Sequence, residues 1–130
     1  MDICFQSFLL ACQAHTPADI LKQLAQDQST KIRARVAENP ATPQILLEHL
    51  SKDPSADVRA AVAINSALPT RILWRLAADH NPDVRFIIAE NPLVSVAVLN
   101  RLADDDNPYV AKRAEKSLQV TTNSNEERYQ

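Results

Sequence analysis

Apolar residues recur along this chain at a fixed interval of 26 positions. Leu21, Leu47, Leu73 and Leu99 keep that step, as do Leu24, Leu50, Leu76 and Leu102, and Ile32, Val58, Val84 and Val110 form a third series. Two patterns alternate inside each interval. Ile20, Leu21, Leu24 and Ala25 recur as Leu46, Leu47, Leu50 and Ser51, then as Ile72, Leu73, Leu76 and Ala77. Spacing of i, i+1, i+4, i+5 predicts one face of an α-helix of about ten residues, with the leucines in the core. The pairs Ile32/Val36, Val58/Val62 and Val84/Ile88 predict a second, shorter helix, α or 3-10. A period of roughly 20–50 residues marks a solenoid, whose units bury their apolar faces only against neighbouring units.

The polar positions punctuate the same register. Thr16-Pro17 and Thr42-Pro43 read as an N-cap hydroxyl followed by proline in the first turn, and Leu68-Pro69 keeps the proline. Ser29, Ser55, Asn81 and Asn107 read as N-caps of the second helix. Asn39, Asn65 and Asn91 end it; without glycine, asparagine is the residue best suited to a left-handed cap. Four repeats follow, 15–40, 41–66, 67–92 and 93–118, preceded by a half-repeat, 1–14, that caps the first. The fourth copy departs from the pattern at Ser95, Ala111, Glu115 and Ser117, as suits a terminal unit. Together these make a single solenoid domain, 1–118, and the patternless polar residues 119–130 read as a disordered tail.

Composition narrows the function more than it names it. The chain has 130 residues and no glycine. Phosphate-cradling loops, dinucleotide-binding turns and nucleophile elbows need glycine where backbone meets ligand or takes positive φ, so the sequence points away from an enzyme and from a cofactor. Fourteen basic against sixteen acidic residues, net charge −2, weighs against a dedicated nucleic-acid binder. His15, His49 and His80 occupy three different phases and suggest no metal site. Asp104-Asp105-Asp106 reads as a solvated loop. No apolar run is long enough for a membrane span. The apolar start, Ile3 to Leu10, lacks the basic flank of a signal peptide, so the expected compartment is the cytoplasm, with Cys4 and Cys12 reduced.

At T-P-x-x-I-L-x-x-L-A-x-D…V-R-x-x-V-A-x-N-P the chain resembles the leucine-rich repeat variant family, over about residues 16–118. The resemblance implies an all-α, right-handed superhelix of armadillo/HEAT type. Some members of that family carry an N-terminal iron–sulphur domain. Two cysteines, eight positions apart, do not support one here, since a cluster takes four.

Two candidate sites remain. Arg33, Arg59 and Arg85 form a ladder, one per repeat, either offering donors to an acidic peptide or phosphate backbone, or pairing with Asp27, Asp53 and Asp79 six residues earlier. Phe86 and Ile64 are bulky apolar residues in phases otherwise small or charged (Ala34, Ala60, Lys112; Glu38, Glu90, Lys116), which marks a partner hot spot on a face away from the core. Trp74 also breaks its phase, and reads as partly covered by a neighbouring repeat. The expectation is a non-enzymatic scaffold that binds a protein or peptide on the face of its shorter helices. The alternative is a nucleic-acid-binding solenoid using the arginines.

Overall fold

The computed structural model describes residues 3–128. Among them lie nine α-helices and no strand: α1 (Ile3–Cys12), α2 (Ala18–Leu24), α3 (Thr30–Glu38), α4 (Gln44–Leu50), α5 (Ala56–Ile64), α6 (Thr70–Ala77), α7 (Pro82–Glu90), α8 (Val96–Ala103) and α9 (Pro108–Arg128). Helix starts 18, 44, 70 and 96 stand 26 apart, as do 30, 56, 82 and 108. The lengths reverse the expectation. The helices following the Thr-Pro pairs, α2 and α4, have 7 residues, while α3, α5 and α7 have 9. The apolar pattern of the first kind runs on through Ala25 and Ser51, but those residues are C-caps, so it overstates the helix.

The chain divides into two compact units, Met1–Ile72 and Leu73–Gln130. In the first, α1 packs on α3 and α3 on α5, with α2 and α4 bracing their ends. Leu21, Val36, Leu47, Leu50, Val58 and Val62 are fully buried there. Each such side chain contributes about 1.5–3 kcal/mol relative to leaving it in water. In the second unit α9 packs against both α7 and α8, enclosing Leu76, Val84, Ile88, Leu102, Val110 and Ala114. Leu73, expected in the core, is only half-buried, whereas the preceding Ile72 is fully enclosed.

Helix ends explain how the turns close without glycine. Ser29, Asn81 and Asn107 cap their helices as expected, accepting from the N–H groups of Ile32, Asp83 and Tyr109, whereas Ser55 stands at the N-cap of α5 without a side-chain cap bond. Ser95, not expected as a cap, accepts from Val98 N–H at the start of α8. Asn39, Asn65 and Asn91 are not left-handed caps. Their φ angles are −68°, −64° and −69° with extended ψ, and no described residue has positive φ. Nor are Thr16 and Thr42 N-caps. Their hydroxyls point back, donating to Leu10 O at 2.5 Å and Val36 O at 2.6 Å, and so give a second donor to last-turn carbonyls that otherwise accept only the Gln13 and Asn39 N–H groups. Pro17 and Pro43 take the N-cap positions, with no side-chain hydrogen bond.

Residues 119–128, expected to be disordered, continue α9 as helix. No proline or glycine interrupts the chain after Pro108, and the hydroxyls of Thr121, Thr122 and Ser124 bond to carbonyls one turn earlier. Residues 1, 2, 129 and 130 lie outside the described part.

Candidate functional site

The arginine ladder is held by the turns between helices. In each turn an aspartate carboxylate folds back onto the backbone two residues on: Asp27 accepts from Ser29 N–H at 2.8 Å, Asp53 from Ser55 N–H at 2.9 Å, and Asp105 from Asn107 N–H at 2.9 Å. This Asx turn fixes the carboxylate with its second oxygen directed outward from the bond. Arg33, on α3, then donates twice to Asp53: Nε to Oδ2 at 2.9 Å and Nη2 to Oδ1 at 3.3 Å. Its Nη1 donates to the Asp27 and Gln28 carbonyls at 2.8 and 3.2 Å. Arg85 repeats the arrangement in the second unit, with Nε to Asp105 Oδ2 at 2.8 Å, Nη2 to Oδ1 at 3.1 Å, and Nη1 to Asp79 O at 2.7 Å. Arg59 is 6% exposed and donates through Nη1 to the Asp53 and Pro54 carbonyls.

The pairing therefore differs from the expected one. Each arginine reaches the backbone carbonyl of the aspartate six residues earlier. In the Arg33 and Arg85 rungs the carboxylate partner lies 20 residues later. Such forked pairs are the stronger kind of ion pair because geometry and charge act together. Burial pushes the Asp105 carboxyl up, but hydrogen bonds from Arg85 and from the Asn107 N–H, with the arginine's charge, outweigh it and hold the group below its ordinary value.

A second set of polar bonds runs the opposite way along the chain. Asn39 Nδ2 donates to the Ala11 and Gln13 carbonyls at 2.9 and 2.7 Å, and Asn65 Nδ2 to the Ala37 and Asn39 carbonyls at 2.8 and 3.3 Å. Their Oδ1 atoms accept from Ala41 and Ala67 N–H. Both asparagines are 3% exposed, so these amides are structural staples rather than contacts offered to a partner. Ser117 takes the same role in the last copy, donating to Ala89 O at 2.7 Å. Sequence reasoning missed this function because a polar residue closing an apolar run, before proline at Asn39 and Asn91 and before Ser66 at Asn65, reads locally as a stop signal. The clue was that asparagine, a poor apolar filler, holds three successive copies of one phase.

The apolar candidates lie in different units. Ile64, at the end of α5, is 60% exposed. Phe86, on α7, is half-buried rather than facing solvent, as are Ala34 and Ala60 in its phase. Trp74 is half-buried, with the Arg101 guanidinium 5.9 Å from its ring centroid. The first unit also carries an apolar groove of about 400 Å³ between α2 and α4, lined by Ala18, Ala25, Pro43, Ile45 and Leu46, with the Lys22 and His49 side chains at its margin. Ile45 is 76% exposed there. Sequence phase alone did not single it out, although its counterparts Asp19 and Arg71 show that bulk at this position is not needed by the helices.

His15, His49 and His80 are all exposed, and among the described residues no group of three acidic, histidine or cysteine side chains is placed to hold a metal ion. Cys4 and Cys12 are both exposed thiols on α1. No helix among the described residues is long and apolar enough to cross a membrane. Residues 7–66 match the family model of the Leucine Rich Repeat Variant domain. No curated protein and no solved structure matches the chain.

Proposed function

We propose that this chain, whose residues 7–66 belong to the Leucine Rich Repeat Variant family, is a non-enzymatic interaction module that binds a protein or peptide. In this reading the four 26-residue repeats wind as a right-handed solenoid, work in the cytoplasm and need no cofactor. One observation carries it: the ladder guanidiniums are engaged within the protein. Arg33 and Arg85 each use three nitrogens on carboxylate and carbonyl oxygens, and Arg59 is buried. A phosphate backbone would have to displace those partners, which favours a polypeptide ligand over a nucleic acid. Each unit meanwhile leaves one of the phase-breaking apolar residues accessible, Ile64 at 60% exposure in the first and the half-buried Phe86 in the second. Hot spots concentrate at such desolvated apolar contacts.

The experiment is affinity capture with the intact chain, followed by titration of the captured protein against substituted chains. Ile64→Ala and Phe86→Ala should each weaken binding by more than ~1 kcal/mol. Arg59→Ala should act through stability alone, with binding little dependent on salt. Strong salt dependence, with Arg59→Ala abolishing binding in a folded chain, would instead establish the nucleic-acid reading.

A further inference from the structure

The second unit carries a cleft of about 450 Å³ between the α7–α8 connection and one face of α9. Its floor is apolar, with Val94 and Leu99 buried and Val120 standing 61% exposed at the side. Its rim holds three cations, Arg113, Lys116 and Arg128, against a single carboxylate, Glu90. Positions 113, 116, 120 and 128 share one helix face, so the charges line one wall rather than scatter.

Arg113 distinguishes this cleft from the arginine ladder. The ladder residues spend their guanidiniums on aspartate and backbone oxygens, whereas Arg113 Nε is buried with no hydrogen-bond partner among the described residues. A buried donor without an acceptor is costly, so the Arg113 side chain gains a bond by turning toward the cleft when an anionic group arrives there. The neighbouring hydroxyls do not answer it. Ser117 donates to Ala89 O, Thr121 to Ser117 O and Ser124 to Val120 O.

The geometry points to this cleft as a binding site for an acidic peptide segment, one that sets a carboxylate on Arg113 and Lys116 and an aliphatic side chain on Val120. The inference rests on the interaction-module reading for its choice of a polypeptide ligand. Charge complementarity supplies the acidic half, since three rim cations face one carboxylate in a chain whose net charge is −2. The apolar floor supplies the other half. A bare phosphate or a nucleic-acid backbone would gain nothing from Val94, Leu99 and Val120.

The test uses the full chain and a fluorescein-labelled peptide of alternating glutamate and leucine, read by anisotropy. A matched peptide of glutamine and leucine serves as control, with inorganic phosphate and an oligothymidylate as competitors. The glutamate peptide should bind at least ~10-fold more tightly than the glutamine peptide, as a charge-assisted contact requires. Lys116→Glu with Arg128→Glu, both at exposed positions, should remove that preference without changing the melting curve. Arg113→Lys, which keeps the charge and loses Nε, should weaken binding several-fold. The site is overturned if the two peptides bind alike, if the glutamate peptide does not bind, if the charge reversal has no effect, or if phosphate or oligothymidylate competes as well as the peptide. None of those results touches the wider reading, which stands or falls on Ile64 and Phe86.

Discussion

The two end helices, α1 and α9, occupy comparable places in their units yet keep almost nothing of the same sequence. α1 has no charged residue from Ile3 to Cys12, whereas α9 is polar over most of its length. The difference follows from the direction of the side-chain bonds. Asn39 and Thr16 donate backward, and what they find on or beside α1 is backbone carbonyl: Ala11 O, Gln13 O and Leu10 O. Any residues that form a helix provide those acceptors. The last copy must instead supply side chains at both levels. Asp105, in the turn before α9, receives Arg85, and Ser117 donates to Ala89 O. It needs no forward-reaching arginine, and position 111 is alanine. The leading end thus asks only for helical backbone, while the trailing end retains the Asp105 acceptor and the Ser117 donor and lacks only the ladder arginine.

Removing one end should separate these roles most sharply. Deleting residues 1–14 uncovers the α3 face that packs on α1 and leaves both Asn39 donors without acceptors, a loss on the order of 3–5 kcal/mol. Calorimetry should show a much lower melting temperature or association. Deleting residues 120–130 should shift the melt little, because these side chains are exposed apart from Thr121 over the described span. If the two truncations melt alike, the contrast between the ends is wrong.

The next effect is smaller and depends on pH. Arg85→Ala should cost roughly 1–3 kcal/mol by stranding the Asp105 carboxylate. Because the folded chain holds the Asp105 pKa below its ordinary value, folding favours the ionised form. Its contribution is complete above the unfolded carboxylate range and is lost as pH falls through the depressed folded value. Stability of the wild-type chain should therefore decline on the acid side, and Asp105→Asn should flatten that decline. A denaturation series in which both proteins lose stability in parallel below the carboxylate range would remove Asp105 as a contributor.

The smallest expected effect is the most discriminating. Restoring the missing ladder residue, Ala111→Arg, should change stability by no more than ~0.5 kcal/mol. The chain after Ala111 stays helical to Arg128, so no turn aspartate follows it there. If the arginine paired with the carboxylate six residues earlier, Asp105 would be its partner and the substitution would stabilise measurably. Urea titration distinguishes the two.

That ambiguity shows where the sequence stops being legible. Proline and the Ser/Asn caps locate helix starts well, and the leucine phases mark most of the core, Leu73 excepted. A strict 26-residue period, however, cannot tell a partner six residues back from one 20 residues ahead, because the two offsets sum to the period. Only the imperfect last copy breaks the tie, since Asp105 persists while its arginine does not. The asparagines were misread for a related reason. Their local setting resembles a helix stop, whereas their amides act 26 and 28 residues away. The extent of α9 escaped because a polar helix shows no apolar period to detect. Of the candidate residues, the arginines were expected to pair with aspartates six residues earlier as one alternative, but Arg33 and Arg85 reach carboxylates 20 residues later. The cleft at Arg113 carries no motif at all.

Turns made from aspartate and asparagine, all at negative φ, have a consequence for the state from which the protein folds. Glycine lends an unfolded chain the widest range of backbone conformations, and exchanging it for another residue at a compatible site is worth about 0.4–1 kcal/mol through that ensemble alone. With no glycine and eight prolines, this sequence begins folding from a more restricted set of conformations than most chains of its length. Less entropy is surrendered at each turn, so helices of only seven to nine residues can be held by correspondingly thin layers of core.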